Sequence, residues 1–206
     1  MNNRNVKIIG TIVGIVLFIA LIAGISYAWI TWQSDNTKIS GNSKCFPNID
    51  YTNGTSLSTD NVLLFDESKI INNNKITLKD GMAYLGVTAG VQSGCDTPVS
   101  FIIEMDVTSL SDAYISGDSI GAFKYVLASY DPSVTDLNEL NGQSLDIIEK
   151  NSITSTGLSQ VNDTVLTTDT QVYLLIFYID GDMAFNDAQY SEFNVSITGK
   201  AMQVGE

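Results

Sequence analysis

The chain has 206 residues, a formal net charge of −13 and no histidine. An acidic excess of this size leaves no basic stripe of the kind nucleic-acid binding needs. The missing histidine removes the commonest general base, the Ser-His and Cys-His nucleophile systems and the usual zinc sites.

Residues 1–7 are a basic stub carrying Arg4 and Lys7. From Ile8 to Ile30 there is no charge. A bilayer core of about 30 Å needs roughly 20 apolar residues at helical rise, so a helix over residues 8–32 is long enough to span and to use the lipid bilayer as its partner. Positive charge stays on the cytoplasmic side, which places residues 33–206 outside.

Two readings of this run fit its residues. Ser26 and Ala28 stand at the −3 and −1 positions of a signal-peptidase site, with cleavage before Trp29. The run is also longer than a usual signal core, and Tyr27, Trp29 and Trp32 suit an interfacial aromatic belt. The protein is then either a single-pass cell-membrane protein with an extracellular domain, or one secreted after cleavage near Ala28.

Residues 33–43 are polar and turn-rich, a linker or first edge strand. The exported domain is expected over 44–206. All 23 acidic residues lie beyond residue 32, against eight lysines, so the exported part carries 8 − 23 = −15. The two cysteines, Cys45 and Cys95, are both exported. An even count in an oxidising compartment predicts one disulfide between them.

Period-2 alternation then recurs, which predicts strands. It is cleanest at Val99–Val107, where the odd positions are apolar. Tyr84–Val91 and Phe123–Tyr130 read as further strands, the latter with both faces mostly apolar. Leu137–Leu140 suggests a short helical turn, and Ser144–Glu149 a strand or a helical turn. Gln171–Ile179 is apolar after its first residue, which fits a buried central strand and is too short to span a membrane. Phe193–Ala201 alternates strictly, with Asn194, Ser196, Thr198 and Lys200 outward. Turn signals at Asn53-Gly54, Asp80-Gly81, Ser93-Gly94, Asn141-Gly142 and Asp180-Gly181 separate the strands. Together these predict an all-β fold, an antiparallel β-sandwich behind one N-terminal transmembrane or signal helix.

No catalytic set emerges. Glu104 and Asp106 share one strand face but alternate with core positions, which marks a solvated outer face. Asp180, Asp182, Asn186 and Asp187 pack four oxygen-bearing side chains into eight residues. Calcium is the one cofactor that such a loop suggests, although its spacing is not that of an EF-hand and an ordinary turn also explains it.

Three segments carry a family likeness: Ser26-Tyr-Ala-Trp-Ile-Thr31 after the apolar run, Ile39-Ser-Gly41 leading into Lys44–Tyr51, and Tyr173–Gly181 followed by Asn186-Asp187 and a closing strand. The first resembles the export junction of the TasA/camelysin family of exported Gram-positive proteins. The others resemble uncharacterised single-pass β-sandwich proteins of low-GC Firmicutes. This resemblance implies a jelly-roll-like sandwich, a dedicated signal peptidase and assembly into biofilm matrix fibres. It implies no peptidase activity here, because the chain has no HExxH. A freed segment from Trp29 to Ser40 would serve self-assembly by strand donation. The expected role is that of a non-enzymatic structural protein of the cell surface or matrix, with an anchored adhesion or ligand-binding module as the rival and an extracellular hydrolase third.

Overall fold

A computed structural model describes residues 29–32, 47–54, 63–91, 98–162, 165–167, 169–185 and 193–203. In chain order these form β1 (Trp29–Trp32), β2 (Pro47–Asn53), β3 (Leu64–Phe65), α1 (Glu67–Ile70), β4 (Ile71–Asn72), β5 (Lys75–Thr77), β6 (Ala83–Val91), β7 (Val99–Leu110), α2 (Asp112–Ile115), β8 (Phe123–Ser129), a 3-10 turn (Leu137–Leu140), β9 (Ser144–Ser152), β10 (Gly157–Gln160), β11 (Val165–Thr167), β12 (Gln171–Asp180) and β13 (Phe193–Gln203).

The strands build two sheets. The five-stranded sheet runs β1-β13-β7-β10, with β11 also on β7. The eight-stranded sheet runs β2-β6-β12-β8-β9-β5-β4, with β3 also on β12. The long pairs are antiparallel, and only β1 with β13 and β3 with β12 run parallel. The fold is therefore all-β with mainly antiparallel sheets, as the alternation predicts.

The main core lies where the two sheets face each other. Leu85 and Val87 of β6, Phe101, Ile103 and Met105 of β7, Leu127 of β8, Leu175 and Phe177 of β12, and Val195 and Ile197 of β13 are all buried there. These are the odd positions, since successive side chains of a strand point to opposite faces. The even positions of the eight-stranded sheet are covered as well. Val126, Ala128, Leu174, Ile176 and Tyr178 pack with Ile70, Ile76, Leu78, Leu137, Leu140 and Leu145 in a second cluster. This double burial is why β8 and β12 read as nearly continuous apolar runs. The 3-10 turn supplies Leu137 and Leu140 to that cover, and Asp136 caps it by accepting from the Asn138 amide at 3.0 Å.

Three features depart from the sequence reading or decide between its alternatives. First, Trp29–Trp32, expected at the end of a helix over residues 8–32, form strand β1, which aligns with Asn194–Ile197. Trp29 and Trp32 of the expected interfacial belt thus lie in a sheet. The parallel main-chain ladder on the open edge of β13 offers hydrogen bonds that an isolated apolar helix end does not. A strand of the five-stranded sheet therefore lies ahead of residue 44. Second, Ser144–Ser152 is a strand, which settles its open alternative. Third, β10 and β11 had no sequence signature. All four residues of β10 are exposed, so no alternation marks it, and main-chain pairing to β7 alone makes it a strand. Between β10 and β11 the buried Asn162 takes over the ladder, its Oδ1 accepting from the Ile103 amide at 2.6 Å.

Among the described residues no helix is long and apolar enough to cross a membrane. Ser26, Tyr27, Ala28, Cys45, Cys95, Asn186 and Asp187 lie outside the described residues, as does the run from Ile8 to Ala28.

Candidate functional site

The densest cluster of ionisable groups sits on the outer face of the eight-stranded sheet. Strand parity turns Lys124 of β8 and Tyr178 and Asp180 of β12 to that face. The short helix α1 is laid across them by β3, whose Phe65 carbonyl accepts from the Gly181 amide at 2.7 Å. Asp66 caps α1 through the Ser68 amide at 3.0 Å, which fixes Glu67 in its first turn. Lys124 Nζ then lies 2.5 Å from Glu67 Oε2 and 2.6 Å from Asp180 Oδ2. Lys150 of β9 reaches Glu67 Oε1 at 2.5 Å. The Tyr178 hydroxyl donates to Glu67 Oε2 at 3.0 Å.

The electrostatics follow from this geometry. Burial would raise the Glu67 carboxyl, but hydrogen bonds and charge from Lys124 and Lys150 outweigh it and hold the group at about 2. Burial would lower the Lys124 ammonium, yet Asp180 and Glu67 raise it above its ordinary value. Burial first, and then the Glu67 charge, raises the Tyr178 phenol. Lys124 is thus a fixed cation and Glu67 a fixed anion at neutral pH. Neither is poised to exchange a proton, and the cluster acts as a clamp that holds α1 on the sheet.

Of the four residues of the suggested calcium loop, Asp180 and Asp182 are described. Asp180 is buried, with 3% of the residue exposed. One of its oxygens meets Lys124, and the other accepts from the Asp182 amide at 3.1 Å. A cation bound there would have to displace Lys124. Glu104 lies on the outer face of the five-stranded sheet and pairs with Lys200 of β13 at 2.7 Å. Asp106 is on the same face, as their alternation with the core predicts. Among the described residues no group of three or more acidic, cysteine or histidine side chains is placed to hold a metal ion.

A second region is the edge of the five-stranded sheet. β1 covers β13 from Asn194 to Ile197. Two residues further on, the Gly199 amide donates to the hydroxyl of Tyr51, which belongs to β2 of the other sheet. Among the described residues, the group that meets β13 at that point is a side chain of the other sheet.

A third feature is the end of the molecule at which β1 begins. Phe193 opens β13 and stacks on Phe123, the first residue of β8, with ring centroids 4.3 Å apart. Tyr114 of α2 packs against both rings. Trp29, aligned with Asn194, therefore enters at the end formed by the turn before β8 and the turn after β12. Leu64, Ile120, Met183 and Phe185 are exposed at this end, with Leu63 beside them. A Cβ on Gly181 would lie 3.2 Å from Leu64, and one on Gly121 would lie 3.3 Å from Met183. The Phe185 amide donates to Ser119 at 2.8 Å. Sequence reasoning missed this grouping because its members are far apart in the chain and carry no local period.

The chain matches no protein-family model, no curated protein and no solved structure.

Proposed function

We propose that this chain is a non-enzymatic structural protein of the cell surface or extracellular matrix, built as a jelly-roll-like sandwich. Its leading form is a subunit of a TasA-like fibre. The observation that carries this reading is β1. Trp29–Trp32 stand at the end of the apolar run and add, in parallel, to the open edge of β13. A four-residue strand held through a main-chain ladder pairs equally well with the same edge of a neighbouring copy, which is β-augmentation. Cleavage after Ala28 would free its N-terminal end. The clamped state of Lys124 and Glu67 also supports a structural role over a catalytic one.

The test uses two purified forms, residues 29–206 and residues 44–206. The first is expected to assemble into filaments and the second to stay monomeric. A monomeric 29–206 at high concentration overturns the fibre reading.

A second reading, the anchored module, is favoured by the exposed apolar residues at the end where β1 begins. Mass and N-terminal analysis of protein recovered from cells separates the two. A chain that retains Met1 to Ala28 is anchored, and one that starts at Trp29 is released.

A further inference from the structure

We propose that the end of the sandwich bearing Leu63, Leu64, Ile120, Met183 and Phe185 rests on the outer surface of the bilayer, with these side chains in its interfacial layer. The inference rests on the anchored reading, in which the uncharged run from Ile8 up to Ala28 stays in the membrane.

Three observations converge on this placement. β1 starts at Trp29, inside the last residues of the uncharged run, so no spacer separates the membrane span from the first strand. The parallel register of Trp29 with Asn194 fixes which end of the sandwich meets the membrane. That same end carries five of the seven large apolar side chains that are exposed among the described residues, with Leu64 at 58% and Phe185 at 59%. The other two, Ile148 and Leu158, lie within β9 and β10 and not together at the opposite end.

A tether of zero length raises the effective concentration of the bilayer at this surface to its maximum. A modest apolar patch then docks without needing affinity of its own. The sandwich would stand upright, its strands projecting the β8–β9 and β6–β7 ends away from the membrane. Asp112, Asp118 and Asp182 are exposed around the patch. Anionic headgroups repel them, so the patch sits deepest in zwitterionic lipid and rises as anionic lipid increases at low salt.

The experiment uses the full-length chain in phosphatidylcholine vesicles. Trp29 and Trp32 are the only tryptophans, so a W29F/W32F background is dark. Into it are placed F185W, L64W as an independent reporter, and S133W in the exposed turn after β8 as the remote control. The lipid is phosphatidylcholine brominated near the headgroup end of its acyl chains. The expected result is a blue-shifted emission at positions 185 and 64 that brominated lipid quenches, with position 133 unaffected. Equal, weak quenching at all three positions in protein that floats with the vesicles overturns the docking while leaving the anchor in place. A blue shift at 185 and 64 without bromine quenching also overturns it, and assigns the patch to a second copy. Protein that does not float with the vesicles rejects the anchored reading, and the docking with it.

Discussion

The Gly199 amide of β13 donates to the Tyr51 hydroxyl of β2, joining the two sheets along the edge where β1 stops. An unpaired strand edge invites pairing with another chain, and a side-chain cap is one way to blunt it. A Cβ at this position would lie 3.0 Å from both Ile49 Cγ2 and the Tyr51 hydroxyl, so a larger residue would have to push these side chains aside.

Gly199→Ala is therefore expected to cost about 1–3 kcal/mol through overpacking. Tyr51→Phe removes only the acceptor and should cost about 1 kcal/mol. Urea unfolding of purified 29–206 checks both. If Gly199→Ala proves neutral, the two sheets are not in close contact here.

The Glu67 carboxyl predicts a specific acid response. Its folded value, about 2, lies below the ordinary 4.5. A depressed carboxyl contributes stability above its unfolded value, and that contribution is lost as pH falls through the folded one. The window thus runs from about pH 4.5 down to about pH 2. Converted directly, the shift is worth about 3 kcal/mol, and screening at this partly exposed site reduces it to about 1–2 kcal/mol. Glu67→Gln should unfold more easily at neutral pH and should lose less of its stability across that window than the parent. Denaturation midpoints measured from pH 7 to pH 2 give the comparison. Parallel pH profiles for the two proteins would refute it.

Removing the cation at the centre of the cluster should be more damaging. Lys124→Met leaves Asp180 buried without its counter-ion, and breaking a buried pair from one side costs about 3–5 kcal/mol. Lys124→Met with Asp180→Leu removes both charges and should recover a large part of the loss. A thermal or urea double-mutant cycle measures the coupling. Additive costs would mean that the pair contributes nothing as a pair.

Cys45 and Cys95 flank a paired register. Pro47 at the start of β2 faces Val91 at the end of β6, so the segments carrying the two cysteines leave neighbouring strands at the same end. Protein isolated without reductant is expected to be two hydrogens lighter than its reduced form. On the chain-entropy model a loop of this length contributes roughly 4 kcal/mol, and reduction should lower the unfolding midpoint accordingly. Two thiols open to alkylation in the native protein would count against the bridge.

Much of the fold is legible in the chain. The odd positions from Phe101 to Val107 and from Phe193 to Ile197 face the main core as their alternation requires, because strand parity is a local property of the backbone. The apolar runs in β8 and β12 announce strands covered on both faces. What covers the second face is not written beside them. Ile70, Leu137 and Leu145 come from distant segments, and only sheet order brings them over Val126 and Ile176. The Lys124 cluster has the same origin. Asp180 reads locally as a turn aspartate, yet the pairing of β12 with β8 sets it beside a lysine 56 residues away.

The chain by itself determined the sign of the charge, the uncharged N-terminal run, the absence of histidine chemistry and the all-β class. Each of these depends on composition or on a period of two, and both can be counted without knowing any neighbour. The tertiary structure alone decided that Trp29–Trp32 is a strand on β13, that Glu67 and Asp180 share one ammonium, and that five apolar side chains meet at the end where the chain enters. Each of these depends on which strands lie side by side, and that order is chosen by the free energy of the whole core rather than by any segment within it.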